Sequence, residues 1–319
     1  MEIKKIRVGV MGCANIAIRT VIPTIIQSSE FELVAVASRT QEKATMCSER
    51  FGCEGIVGYQ NLVSRTDIDA IYMPLPTGLH EKWVIECLLA NKHIIIEKSL
   101  AMDYESAAKM VDLANKRDLL IMENFMFVYH SQHKFIMDQI SNGEIGELRC
   151  FRSSFGFPPL ADDNFRYNKE LGGGALLDAA AYTVRAGQLF LGNNLNVDAA
   201  KLNFCDKKVD VFGSAILSNP EGVCAQVAFG FDNYYQCNYE LWGSKGKIVA
   251  HKSFTPKPNE KPLVTIETQD RVITLQLPSD DHFKNIFSEF SKEIISHNFQ
   301  KKYSEILNQA RLLNQIKSF

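Results

Sequence analysis

The sequence predicts an α/β protein in two parts. Residues 1–122 form a doubly wound domain, and residues 123–319 form an α/β domain on a large, mostly antiparallel sheet. Three observations predict it. Up to residue 122, short apolar runs alternate with amphipathic segments of helical length, which implies right-handed crossovers and a parallel sheet. Beyond that point most apolar segments alternate polar and apolar residues and are joined by turn signals, the pattern of an antiparallel sheet with one covered face. The chain has 319 residues, 46% of them hydrophobic, enough for two cores.

The elements follow in order. Residues 6–11 are an apolar strand, followed by a glycine turn and an amphipathic stretch over 15–28. Residues 31–37 are a second strand, and Thr40 is placed to cap a helix running to Arg50. Strands at 69–73, 93–97 and 119–122 alternate with helices at 80–90 and 103–116. In the second part, strands are expected at 147–157, 196–205, 211–218, 222–232, 234–242, 247–251, 263–268 and 271–277. Helices are expected at 132–141, at 175–190 and in two segments between 283 and 317, with residues 255–262 an exposed loop.

Composition excludes several functions. The formal net charge is −2 and no long run of one sign is present, which argues against nucleic-acid binding by a broad basic face. No apolar stretch reaches the roughly 20 residues of a membrane span. The N-terminal Met1-Glu2-Ile3-Lys4 shows no signal peptide, so the expected compartment is the cytoplasm. None of the eight cysteines has CxxC or zinc-ligand spacing, so no metal is expected and the thiols are read as reduced core filler.

The segment Gly12-Cys13-Ala14-Asn15-Ile16-Ala17 after the first strand fits G-x-G-x-x-G/A, with Ala14 in place of the second glycine. Such a turn brings helix N-terminal amides to a pyrophosphate. The second strand ends in Ser38-Arg39-Thr40, where a dinucleotide site without a 2′-phosphate usually has a carboxylate. A guanidinium there pairs with a 2′-phosphate and stacks on adenine, which favours NADP(H).

Two further segments carry reactive groups. Glu97-Lys98 lies at the carboxyl end of a strand, the edge where open α/β sheets bind ligands, and a lysine there can stabilise developing charge on an oxygen. Gly172-Gly173-Gly174 precedes a helix on which Asp178 and Tyr182, four apart, share a face. A tyrosine near a lysine has its anionic form favoured and can donate or accept the proton of a hydride transfer; an ordinary buried Asp–Tyr hydrogen bond is the other reading.

Together, the Gly12–Ala17 turn, Pro74…His80, Asn91-Lys92-His93 leading to Glu97-Lys98, and Gly172…Asp178…Tyr182 resemble the glucose–fructose oxidoreductase/inositol dehydrogenase family (Gfo/Idh/MocA) over nearly the whole chain. The resemblance implies a Rossmann domain followed by a substrate-binding and oligomerisation domain, with Lys98 and Tyr182 catalytic. It implies cofactor contacts from Gly12, Cys13, Ala14, Asn15, Ile16, Ser38, Arg39, Thr40, Pro74, Leu75, His80, Glu97, Lys98 and Arg166. Substrate contacts fall to Lys98, Asn124, Asp178 and Tyr182. The implied partners are a sugar or sugar-nucleotide substrate and further copies of the chain in a homodimer or homotetramer. The turn resembles that of sugar-nucleotide 3-ketoreductases; D-xylose/dihydrodiol-type dehydrogenases, and a dinucleotide-sensing regulator of the same fold, are the alternatives. Ser99 follows Lys98 where the family usually has proline, and Ala180 stands where glycine is common between Asp178 and Tyr182.

Overall fold

The computed structural model describes residues 5–319; residues 1–4, where the sequence reading finds no signal peptide, lie outside the described residues. In chain order, β1 (Ile6–Met11) is followed by a π-helical turn (Ala17–Val21), α1 (Ile22–Gln27), β2 (Phe31–Ser38), α2 (Gln41–Phe51), β3 (Glu54–Val57), α3 (Tyr59–Val63) and β4 (Ala70–Met73). Then come α4 (His80–Leu89), β5 (His93–Ile96), α5 (Tyr104–Lys116) and β6 (Ile121–Glu123). After α6 (Ser131–Ser141) and β7 (Leu148–Gly156), a second π turn (Leu176–Ala180) leads into α7 (Ala181–Leu191). The chain continues through β8 (Asn196–Asn203), β9 (Phe212–Ser218), β10 (Cys224–Gly230), β11 (Gln236–Gly243), β12 (Gly246–Ala250), β13 (Leu263–Thr268) and β14 (Val272–Gln276), and ends in α8 (His282–Ser296) and α9 (Gln300–Ser318).

Two compact units result. One comprises residues up to Asn124 together with Phe283–Leu307, the other Phe125–His282 together with Asn308–Phe319. The first holds a parallel six-stranded sheet in the order β3-β2-β1-β4-β5-β6. Its direction of growth reverses between β1 and β4, and the carboxyl ends of those two strands border the crevice in which such sheets bind ligands. The expected division at residue 122 needs correction at the far end of the chain. Phe287 and Phe290 on α8 pack against Phe31 of β2, and Phe287 also meets Tyr72 of β4, so these residues complete the first core. Periodicity shows that a segment is an amphipathic helix; it does not say which sheet receives the apolar stripe.

The second unit carries an eight-stranded sheet in the order β14-β13-β12-β11-β7-β10-β9-β8, antiparallel except for the β7–β10 pair. Helix α7 covers one face through Phe190, which stacks on Phe151 and packs at a tilt against Tyr239. The opposite face presents Phe212, Ile216, Trp242 and Val272 to solvent, with Arg152 lying over the Trp242 ring and paired with Glu240. Residues 255–262 form a loop, pinned by the Lys252–Glu260 ion pair. Among the described residues, no helix is long and apolar enough to cross a membrane, and no three His, Cys, Asp or Glu side chains converge as a metal set.

All eight cysteines are free thiols, but their setting corrects the reading as core filler. Cys47, Cys87, Cys150 and Cys237 are buried; Cys13, Cys53 and Cys224 are half-buried, and Cys205 is exposed.

Candidate active site

In the first unit, the chain leaves β1 at Gly12 with φ +120°, and the Gly12 amide donates to the Ala37 carbonyl of β2 (2.9 Å). A Cβ at Gly12 would sit 3.1 Å from the Leu75 Cδ2 methyl, a tight contact, and the positive φ favours glycine at this position. The turn opens a cleft of about 210 Å³ lined by Gly12, Cys13, Ala14, Ser38, Arg39, Thr40, Lys43, Tyr59, Pro74, Leu75 and Pro76. Among the described residues no carboxylate lines it, and two cationic side chains do, which suits an anionic ligand. Asn15 and Ile16 begin the helix behind the turn rather than lining the cleft.

Lys43 and Tyr59 are absent from the sequence-derived site. Lys43 stands in the first turn of α2, which starts just after Arg39, so a second cation at the start of the following helix was the available signal. Tyr59 opens α3, a five-residue helix too short to show periodicity, and its ring packs edge-on against Trp83 (5.3 Å). Thr40 is the N-cap residue of α2 by position, but its side chain makes no cap hydrogen bond; the Thr40 amide instead donates to Ser38 Oγ (3.3 Å).

Glu97 and Lys98 follow β5, and the Lys98–Ser99 peptide is cis. The Glu97 carboxylate accepts from the hydroxyl of buried Tyr72 (2.7 Å) and from the Asn124 side-chain amide (2.6 Å). Asn124, expected at the substrate, is thus also an anchor for Glu97, while its Oδ1 is buried with no hydrogen-bond partner among the described residues. His80 takes a different place from the one expected. It is fully buried, with Nε2 2.8 Å from the Leu75 carbonyl and Nδ1 about equally close to the Ser99 (3.0 Å) and Leu100 (3.1 Å) carbonyls. Burial lowers its pKa, and the neutral ring has one N–H to share among these acceptors. The neutral ring therefore donates either from Nε2 to the Leu75 carbonyl after β4 or from Nδ1 to the carbonyls of the loop that carries Lys98.

In the second unit, Gly174 (φ +117°) donates its amide to the Arg166 carbonyl (3.0 Å). The following turn is held by Asp210, whose carbonyl accepts from Ala175 N (2.9 Å) and whose carboxylate accepts from Leu176 N (2.6 Å). A Cβ on Gly174 would collide with that carboxylate. Asp210 is nearly buried, which raises its pKa, while the amide hydrogen bonds oppose the shift. Arg166 pairs with Asp178 through Nε (2.5 Å), so two residues assigned separately in the sequence form one ion pair. Asp178 lies in a π turn, not an α-helix, and i→i+5 bonding widens that turn. The four-residue spacing to Tyr182 therefore does not describe a single α-helical face. The Tyr182 ring is largely buried among Phe125, Phe127, Phe155 and Phe254, at centroid distances of 5.0–6.0 Å.

Comparison with known proteins supplies the lineage. Residues 6–125 match the oxidoreductase family with NAD-binding Rossmann fold, Gfo/Idh/MocA, and residues 133–249 match the C-terminal domain of the same family. The chain is 42% identical to dTDP-3,4-didehydro-2,6-dideoxy-α-D-glucose 3-reductase from Saccharopolyspora spinosa, over 91% of this chain and 88% of that protein. It superposes with a TM-score of 0.95 and 40% identity on a 3-ketoreductase from Actinomadura kijaniata in complex with NADP and TDP-benzene, covering 99% of this chain and 98% of that one. It is 30% identical to D-xylose 1-dehydrogenase (NADP(+)) 2 from Haloferax volcanii, over 90% of this chain and 88% of that one. The chain belongs to the Gfo/Idh/MocA family of oxidoreductases.

Proposed function

We propose that this protein is an NADP(H)-dependent 3-ketoreductase acting on a deoxysugar nucleotide. The observation that carries this reading is the likeness, over essentially the full length of both chains, to a 3-ketoreductase solved with NADP and TDP-benzene. The cleft supports the cofactor: Arg39 and Lys43 supply two cations and no carboxylate competes for a 2′-phosphate. Solved variants of the Actinomadura kijaniata enzyme have one lysine or one tyrosine replaced, which fits a lysine and tyrosine as the reacting groups of the family.

The reduced nicotinamide, when bound, supplies the hydride. In this reading Lys98 donates a hydrogen bond to the keto oxygen and stabilises the charge that develops there. Tyr182 transfers its hydroxyl proton to that oxygen and is reprotonated from solvent. Its phenylalanine surroundings hold the ring in place. Arg166 and Asp178 bind and orient the substrate as a pair, Glu97 and Asn124 fix the approach to Lys98, and His80 holds the Lys98 loop.

The exposed sheet face of the second unit, with Ile216 and Trp242 beside a concavity lined by Arg152 and Gln226, supports assembly into a homo-oligomer. Eight free thiols support a reducing compartment such as the cytoplasm. The test is to follow NADPH consumption with a dTDP-linked 3-keto-6-deoxyhexose, beside NADP+ reduction with D-xylose. Turnover with the keto sugar nucleotide supports the proposal. Turnover with D-xylose alone replaces it with an aldose dehydrogenase. Tight NADPH binding without turnover on either points to a dinucleotide-sensing regulator.

A further inference from the structure

Three sulfurs cluster behind the phosphate turn. Cys13 follows Gly12, is half-buried and lines the cleft. Cys47 lies on the buried face of α2, and its Sγ is 3.3 Å from Cys13 Sγ. The Cys13 thiol also makes a long contact to the Lys43 carbonyl on the same helix (3.8 Å). The turn is therefore joined to α2, one helical turn from the cleft-lining Lys43, through a pair of reduced sulfurs. Cys53 is the third sulfur, close enough to act electrostatically on Cys47.

We propose that Cys13 and Cys47 form an oxidisable dithiol, and that a low-molecular-weight disulfide such as glutathione disulfide converts it to a disulfide that deforms the turn lining the cleft. The inference rests on the reading of that cleft as a dinucleotide site. A disulfide needs its sulfurs about 2.05 Å apart, so the pair must draw together by roughly 1 Å. The turn is fixed on its other side by the Gly12–Ala37 hydrogen bond, and α2 by its packing at Ala44, so the closure deforms the turn whose amides would face the pyrophosphate. A bound dinucleotide covers Cys13, so ligand and oxidant compete for the same turn.

The chemistry balances. Cys13, as its thiolate, attacks one sulfur of the disulfide RSSR; a Cys13–SR bond forms and RS⁻ leaves, taking up the proton that Cys13 gave to solvent. Cys47 then releases its proton and attacks Cys13 Sγ; the protein disulfide forms and the second RS⁻ leaves. Two protein thiols lose two electrons and two protons, and one RSSR becomes two RSH. Burial pushes the Cys47 thiol up to about 12, so Cys13 makes the first attack and Cys47 resolves.

The experiment treats the purified full-length protein with glutathione disulfide, with and without saturating NADPH. It maps unreduced peptides by mass spectrometry and titrates NADPH by fluorescence before and after. The proposal expects a Cys13–Cys47 linked peptide, at least a tenfold rise in the NADPH dissociation constant, recovery with dithiothreitol, and slower linkage when NADPH is present. Cys47→Ser, and independently Cys47→Ala, should bind NADPH like the reduced protein and stop at a Cys13–glutathione adduct. A Cys47–Cys53 link, no link, or a Cys13–Cys47 link that leaves affinity unchanged overturns it. Reduced protein that never binds NADPH overturns the dinucleotide reading itself, and the peptide map, read by mass alone, keeps the two failures apart.

Discussion

His133 is fully buried in the second unit, with Nδ1 2.7 Å from the Tyr239 hydroxyl and Nε2 3.2 Å from the Ser253 carbonyl. One neutral tautomer satisfies both: Nε2–H donates to the carbonyl and Nδ1 accepts from the hydroxyl. Burial lowers the His133 pKa from 6.5 to about 3, and lowers that of neighbouring His282 to about 4. Below pH 6.5 the unfolded chain binds these protons and the folded chain does not, so stability falls as the pH drops from 6.5 toward the folded values. At pH 5 each ring held neutral costs roughly 2 kcal/mol, together about 4 kcal/mol, a large share of the ~5–15 kcal/mol that holds a typical protein folded. Urea unfolding at pH 7 and pH 5, read from Trp242 in a Trp83→Phe background, measures the second unit. His133→Gln should lower stability at pH 7 by about 1–3 kcal/mol and flatten the acid slope by about 1.4 kcal/mol per pH unit. A wild-type stability level between pH 7 and 5, or a slope that His133→Gln leaves unchanged, refutes the reasoning.

Three further outcomes are expected. Replacing Arg39 by Ala should weaken NADPH binding about 10- to 100-fold and NADH binding little, and Lys43→Ala should do the same more mildly; equal losses for both nucleotides in a calorimetric titration would remove these residues from the 2′-phosphate. Tyr72→Phe deletes the hydroxyl that holds Glu97, so turnover should fall several-fold with thermal unfolding shifted only slightly; unchanged steady-state rates would make that hydrogen bond irrelevant to the site. Asp210→Ala strips the Leu176 amide of its carboxylate acceptor at the glycine loop and should cost about 1–3 kcal/mol in denaturant unfolding, together with a raised KM; a fully stable variant would assign the turn to other contacts.

The sequence made much of this fold legible, and the parts it hid have physical causes. Strands such as β4 and β5 are continuous apolar runs because both sheet faces are covered, and the alternation along β11 marks a sheet with one face in water. β3 and α3 escaped because four residues hold only two strand periods and five hold less than two helical turns, although Gly52 and Gly58 bracket Ile56-Val57 as turn signals do. The residues of the phosphate turn were readable because its chemistry is local. The roles of His80, Asn124 and Asp210 were not, since each depends on backbone or side-chain partners 19 to 34 positions away. The Arg166–Asp178 pair spans 12 positions of irregular chain, where spacing carries no geometry.

The most direct test of the account is isotope transfer. NADPH carrying deuterium at the transferable position of nicotinamide C4 is incubated with the protein and a dTDP-linked 3-keto-6-deoxyhexose, and the sugar product is analysed by mass spectrometry and NMR. The account predicts one deuterium on sugar carbon 3, with the label strongly reduced in rate by Tyr182→Phe while NADPH affinity stays unchanged. Bound NADPH with no label in the sugar, or full transfer by the Tyr182→Phe variant, would contradict it.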